Sequence, residues 1–283
     1  MSSTTTTPAA GSTAPAHAAT GTTPPVRPGS LGPVRPIGFG QLVGVETLKM
    51  FNTRSGFWLI ASIGILATLA SGAVLAFGGE GSMNFETFAS AVGVPMAIIL
   101  PVVAILSITS EWSQRTGLTT FTLVPHRGRV IAAKLVVSVT IGVIGILLAT
   151  GVGALGNLLG ATIHGIDPIW GFSVADQAMV VLGSTLGMLM GFTAGAVFRS
   201  SPVAIVVYFV YSLVLPNLFG ALAYYQDWFM DLWPWVDFFY STTSLYEGVP
   251  DAEGWAQLAT SGTIWLVLPL ALGLWRMGRS EVK

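Results

Sequence analysis

The chain has 283 residues, of which 52% are hydrophobic and only 9% are charged, and its formal net charge is −1. A soluble domain carries roughly 25% charged residues, so this composition predicts a protein embedded in a lipid bilayer. The small net charge gives no sign of a nucleic-acid surface, and the absence of cysteine excludes disulfides, iron–sulfur clusters and a thiol nucleophile.

The first segment, residues 1–36, consists almost entirely of Ser, Thr, Ala, Gly and Pro and contains no aromatic residue. Such a stretch buries too little apolar surface to offset the entropy lost on ordering. It also lacks the charged start and apolar core of a signal peptide. We therefore expect a disordered cytoplasmic tail.

The next segment, residues 37–54, has apolar residues spaced by three and four, mixed with Gln41, Glu46, Lys49 and Arg54. This spacing places the apolar residues on one helical face and predicts an amphipathic helix at the inner membrane surface. Two roles fit such a helix. One is a simple interfacial anchor, and the other is an anchor that also contacts a cytoplasmic partner.

Six apolar stretches follow, each long enough for a membrane-crossing helix, which needs about 20 apolar residues. No Asp, Glu, Lys, Arg or His falls in the middle of any of them. Residues 55–283 are therefore predicted to form an all-α, polytopic domain with six transmembrane helices. The predicted spans are 57–77, 88–108, 131–156, 178–198, 203–223 and 256–276.

Charge is segregated between the two sides of these spans. All 12 basic residues lie on one side, whereas the opposite loops carry none and hold most of the 13 acidic residues. By the positive-inside rule the basic side is cytoplasmic, so both termini are predicted to lie in the cytoplasm. The predicted location is the plasma membrane, that is, a bacterial inner membrane. The basic residues are Arg27, Arg35, Lys49, Arg54, Arg115, Arg127, Arg129, Lys134, Arg199, Arg276, Arg279 and Lys283.

The connection between spans two and three, residues 109–130, is the only sizeable cytoplasmic loop. A short helix-compatible stretch headed by Glu111 is stopped by Pro125, and a basic turn then leads into span three. Ordinary positive-inside chemistry explains the arginines of this loop. It does not explain why an amphipathic stretch precedes the proline.

This order of residues resembles the signature of permease subunits of type 2 ATP-binding-cassette (ABC) transporters. In that family a Glu-headed segment after the second span leads to a Gly-Thr pair, a Pro, a basic turn and a Lys that opens the third span. The matching positions are Glu111, Thr116, Pro125, Arg127, Arg129 and Lys134. The Gly-Thr pair departs from the pattern, because Gly117 follows Thr116 and Arg115 precedes it. The resemblance covers residues 37–280.

The resemblance implies that the loop forms a coupling helix resting on a cytoplasmic ABC ATPase subunit, and that two permease chains, identical or different, enclose the path. The chain has no G-x-x-x-x-G-K-[ST] phosphate loop. We therefore expect no cofactor in this chain, with ATP and magnesium held by the partner ATPase. The expected coupling residues are Glu111, Trp112, Arg115, Thr116, Leu118, Phe121, Pro125, Arg127, Arg129 and Lys134.

Span four carries a row of glycines at four-residue intervals, Gly183, Gly187, Gly191 and Gly195. Such a row lets another helix approach closely. The row fits packing within the chain, with glycine-rich span three as a candidate neighbour, or a subunit interface, or a substrate groove. Asn157 and Asn217 are among the few amides at membrane depth and are candidates for the translocation path.

The last loop, residues 224–255, is aromatic and acidic. It is too polar to span a membrane, and we expect it at the outer interface as short re-entrant helices broken at Pro234. An outer gate and an aromatic anchor both fit it.

The sequence favours the permease subunit of an ABC exporter over other functions. A coupled secondary transporter commonly keeps charged groups at mid-membrane, and no Asp, Glu, Lys, Arg or His lies in the middle of any predicted span. An intramembrane enzyme needs a catalytic set at that depth, so we expect no enzymatic activity in this chain. A secondary transporter and a non-transporting membrane scaffold remain as alternatives.

Overall fold

The computed structural model describes residues 37–113 and 127–279, and these residues fold into helices without a β-strand. Six helices are long and apolar enough to cross a membrane, which confirms the predicted number. The tail 1–36 and the centre of the predicted coupling segment lie outside the described residues. The six spans are Gly56–Phe77, Phe85–Ser110, Gly128–His164, Val174–Phe198, Ser201–Tyr225 and Ala252–Met277.

The helices around these spans complete the architecture. A helix at Phe39–Asn52, here called the entry helix, precedes the Arg54–Phe77 helix of span one. Spans two and three belong to the helices Phe85–Ser113 and Arg127–His164. Spans five and six each contain a π-helical turn, at Val210–Val214 and Thr263–Val267. Between them lie Asp227–Val236, Phe238–Thr243 and the 3-10 turn Ser244–Glu247, which together we call the cap.

Span three is longer than its predicted range. Its helix has 38 residues, or about 57 Å at 1.5 Å per residue, whereas a bilayer core is about 30 Å thick. No proline interrupts it, and the chain turns only at Gly165, whose φ of 67° suits glycine. The helix therefore extends well beyond the apolar stretch needed to cross a bilayer.

The bundle has two distinct ends. At one end Thr109 Oγ1 lies 2.7 Å from Ser201 Oγ, and span six packs against span four at Gly273 and Ala196. Lys134, Arg199 and Arg276 lie toward this end, which we call the basic end. At the opposite end the loops after spans one and three meet, where the Phe85 N–H donates to the Ile169 carbonyl at 3.0 Å. Because Glu80, Glu86 and Asp167 lie in or beside these loops, we call it the acidic end.

Span four is the central helix of the bundle. In its apolar 18-residue stretch 50% of the residues are buried, compared with 17% in the corresponding stretches of spans one and five. Its Met188 and Phe192 join a core with Ile63 of span one, Leu100 of span two and Ile146 of span three. These contacts stabilise the bundle through van der Waals packing. The hydrophobic effect contributes little within a membrane, because lipid tails are themselves apolar.

The glycine row of span four packs mainly on span two. A Cβ on Gly191 would lie 2.6 Å from the Pro101 carbonyl oxygen, and a Cβ on Gly195 would collide with the Ile108 side chain. Span three, the neighbour suggested by its own glycines, meets another face of span four, where Gly142 lies against Met188. The backbone of span two approaches this face of span four so closely that only glycine fits at Gly191.

We predict opposite effects of alanine at two glycines of this row. Gly191→Ala should destabilise the bundle by about 1–3 kcal/mol, because the new methyl group overlaps the backbone of span two. Gly187→Ala should be neutral or stabilising by up to about 1 kcal/mol, because its Cβ would meet no atom within 4 Å and alanine favours a helix. Thermal unfolding of both variants in one detergent tests this, and equal melting temperatures would contradict it.

The helix break in the cap does not lie at the predicted position. The helix break lies at Asp237, whereas Pro234 sits inside the helix Asp227–Val236. A proline in a helix removes one hydrogen bond, but Asp237 starts a new helix because its Oδ1 accepts from the N–H groups of Phe239 and Tyr240. Capping at Asp237, rather than the proline, therefore sets the turn.

Candidate functional site

The main candidate site is a cavity of about 350 Å³ among spans two, three, four and five and the cap. It begins near mid-span, at Pro101, Gly187 and Tyr211, and it continues toward the acidic end as far as Gln177 and Tyr246. A volume of this size falls within the range of pockets that hold drug-sized ligands, roughly 300–1,000 Å³. The cavity therefore occupies the half of the bundle nearer the acidic end.

Small residues of the glycine row leave this space open. A Cβ on Gly187 would meet no atom within 4 Å, so the helix surface there faces the cavity directly. One turn nearer the acidic end, Gly183 packs under the cap, where its Cβ would lie 3.2 Å from the Tyr246 ring. The same row thus packs on span two at one end, lines the cavity in its middle and supports the cap at the other end.

The cavity wall contains no charged side chain among the described residues that line it. Its polar groups are hydroxyls and one amide, and several are already paired. The Tyr208 hydroxyl donates to the Ala97 carbonyl at 3.2 Å, and the Ser184 and Tyr246 hydroxyls lie 3.3 Å apart. Burial raises the pKa of Tyr246, so this phenol is neutral at physiological pH.

Tyr211 stands out among the lining residues. Its side chain is buried, with 7% exposure, yet its hydroxyl makes no hydrogen bond to any residue in the described part of the chain. It lies in the π-helical turn of span five, and its ring packs on Trp265 in the π-helical turn of span six, with centroids 5.5 Å apart. π-helical turns occur frequently at functional sites, because they shift the direction of a side chain.

The cap is held over the cavity by hydrogen bonds. Asp237, which is 1% exposed, also accepts from the Trp233 indole N–H at 2.9 Å. The Trp265 indole donates to the Val236 carbonyl at 2.7 Å and so joins the cap to span six. A buried aspartate needs such donors, which explains its position between the two cap helices.

A second feature lies at the basic end, where the entry helix meets span three. Lys134 Nζ and Glu46 Oε2 are 2.6 Å apart, and the two side chains are 3% and 8% exposed. Lys49 also binds Glu46, at 2.8 Å, but its side chain is 43% exposed. Arg129 donates to the Ile37 carbonyl at 2.8 Å. The entry helix is therefore tied to the first turns of span three.

Of the predicted coupling residues, Lys134 thus contacts the entry helix, and Arg129 contacts Ile37, two residues before that helix begins. The remaining ones have no described side chain, so their role stays a prediction. These residues are Glu111, Trp112, Arg115, Thr116, Leu118, Phe121, Pro125 and Arg127.

The two predicted path residues lie outside the cavity wall. Asn157 is fully buried and donates to the Ile169 carbonyl at 3.0 Å, so it ties the helix of span three to the loop that follows it. Asn217 is exposed on the outer surface of span five and donates to the Leu213 carbonyl. Neither side chain is among the residues that line the cavity.

Sequence reasoning missed Tyr211 and Glu46. Tyr211 carries no sequence signal, because a π-helical turn has no recognisable motif. Glu46 carries one, since it is among the few acidic residues on the side of the chain that holds every basic residue. Such an isolated acid amid basic groups indicates an ion-pair partner.

Across residues 37–113 and 127–279, no group of three or more His, Asp or Glu residues is arranged to hold a metal ion. The chain also matches no protein-family model, and a search of curated proteins found no match.

Proposed function

We propose that this chain is the membrane-spanning permease subunit of an ABC exporter, driven by ATP hydrolysis in a separate ATPase subunit. The observation that carries the proposal is the uncharged cavity in the acidic half of a six-helix bundle. A transported molecule needs a binding site within the spans, and this cavity supplies one of suitable size. The loop 109–130, which resembles a coupling helix, supports the assignment to the ABC class.

In this proposal the basic end faces the cytoplasm of a cell whose plasma membrane holds the protein. The cavity then opens toward the outer leaflet, and the entry helix lies along the inner membrane surface. A second permease chain completes the transporter. Glu46 of the entry helix is paired with Lys134 of span three. A movement of the coupling segment would therefore shift the entry helix and span three together.

We predict that the ATPase subunit is retained through the coupling segment. A tagged chain purified in mild detergent should bring along an ATPase that contains a phosphate loop. Glu111→Gln should reduce its recovery roughly tenfold, equal to about 1.4 kcal/mol, and deletion of residues 111–124 should abolish it. Mass spectrometry of the purified complex measures both effects.

Glu80→Gln is the matched control, because Glu80 is an exposed acid at the opposite end of the bundle. It should leave ATPase recovery unchanged. Gel filtration of each variant shows whether the bundle is intact. If the purified chain alone transported a solute along an ion gradient, the ABC assignment would be wrong and a secondary transporter would replace it.

A further inference from the structure

The chemistry of the cavity wall specifies what the cavity can hold. Its lining includes no Asp, Glu, Lys, Arg or His among the described residues. Burying an ion without a counter-charge costs several kcal/mol, so a charged group would be rejected from this space. An apolar body, in contrast, finds apolar partners at Val92, Met96 and Met190.

The wall contains polar groups without a hydrogen-bond partner in the described part of the chain, among them the buried side-chain nitrogen of Gln177. The hydroxyl of Tyr211, which borders the cavity, likewise forms no hydrogen bond within the described part of the chain. A ligand oxygen in the cavity can accept the proton of this hydroxyl, and such a hydrogen bond typically contributes about 0.5–1.5 kcal/mol. The ring itself is fixed by its contact with Trp265, so the hydroxyl is held in place.

The cavity also has a side opening. Ser90, Gly93, Val94 and Ala97 line it and are exposed on the outer surface of span two. Their spacing of three and four residues places them along one helical face. Val94, for example, is 67% exposed. This face lies within a membrane span, so a molecule dissolved in the bilayer can reach the cavity directly.

We propose that the cavity binds an uncharged amphiphile with an apolar chain and an ester, ether or hydroxyl oxygen, which passes sideways between the cavity and the leaflet at the acidic end and accepts a hydrogen bond from Tyr211. This inference rests on the proposed function in treating the cavity as the substrate site. It goes further in naming the class of substrate, its route between the cavity and the bilayer, and a residue that selects it.

The experiment uses the full chain in nanodiscs without any ATPase. A monodecanoylglycerol carrying a diazirine in its chain is photo-cross-linked, and labelled peptides are identified by mass spectrometry. Unlabelled monodecanoylglycerol, decanoate and decyltrimethylammonium serve as competitors of equal chain length but different charge. We expect labelling of spans two, four and five, with competition by the neutral ester at least tenfold stronger than by either ion.

Tyr211→Phe tests the hydrogen bond while keeping the aromatic contact with Trp265. It should weaken competition by the neutral ester roughly 5–10-fold, the value of one hydrogen bond of about 1–1.5 kcal/mol. Tyr225→Phe is the control, because Tyr225 is 76% exposed and lies outside the cavity. It should change nothing.

Equal competition by the three compounds, or no effect of Tyr211→Phe, would overturn this inference even if the chain co-purifies with an ATPase. If the neutral ester binds selectively but no ATPase co-purifies with the chain in the separate purification experiment, the inference would be supported and the proposed function would be wrong. The two proposals can therefore fail separately.

Discussion

Replacing Gly187 with leucine is expected to abolish substrate binding and transport while leaving the bundle folded. A Cβ at this position meets no atom within 4 Å, so the leucine side chain would extend into the cavity rather than into a neighbouring helix. The cavity has a volume of only about 350 Å³, so the leucine side chain would fill space that the apolar part of a ligand needs. We expect at least a tenfold loss of photo-cross-linking and of ATP-dependent transport.

The control for this variant is Gly64→Leu. Gly64 also lies in a span with no atom within 4 Å of its Cβ, but it is exposed on the outer surface of span one. This variant should bind and transport normally. Thermal unfolding in detergent should give similar melting temperatures for both. Normal transport by the Gly187→Leu variant would exclude this cavity from the transport path.

Glu46→Gln is expected to cause the largest loss of stability among the variants considered. It removes the carboxylate that lies 2.6 Å from the buried ammonium group of Lys134. Removing one partner of a buried ion pair typically costs about 3–5 kcal/mol, and here the ammonium group loses the carboxylate that lies 2.6 Å away. Chemical unfolding in detergent, followed by circular dichroism, measures the change in the free energy of unfolding.

Two further variants identify the cause of that loss. Lys49→Met removes the other partner of Glu46, but the Lys49 side chain is 43% exposed, so its loss should cost less than about 1 kcal/mol. The double variant Glu46→Gln with Lys134→Met removes both buried charges and should recover much of the stability. If Lys49→Met were as destabilising as Glu46→Gln, the buried pair would not be the main contact.

Much of the architecture could be predicted because membrane spans depend on local composition. Each span needs about 20 apolar residues, and that requirement is visible in any window of the sequence. The end of span three was predicted less well, because the helix continues past the predicted range through residues 157–164, which contain no proline, to the turn at Gly165. The break of the cap was placed at Pro234 for a related reason, since capping by Asp237 depends on a side chain finding particular N–H groups.

The candidate site was much less predictable than the spans. The glycine row was visible, but its three separate contacts were not, because they depend on which helix lies beside each glycine. Lys134 was identified from its position after the basic turn. Its pairing with Glu46 was not predicted, because the two residues are far apart in the chain.

By itself the sequence determined that this protein is a six-helix membrane protein, because hydrophobicity and the separation of charge are properties of single segments. Only the tertiary structure decided where a ligand could bind. The cavity exists because Gly187 faces open space while Gly191, one turn away, is pressed against Pro101. That difference between two identical residues depends on the position of neighbouring helices, which no local pattern records.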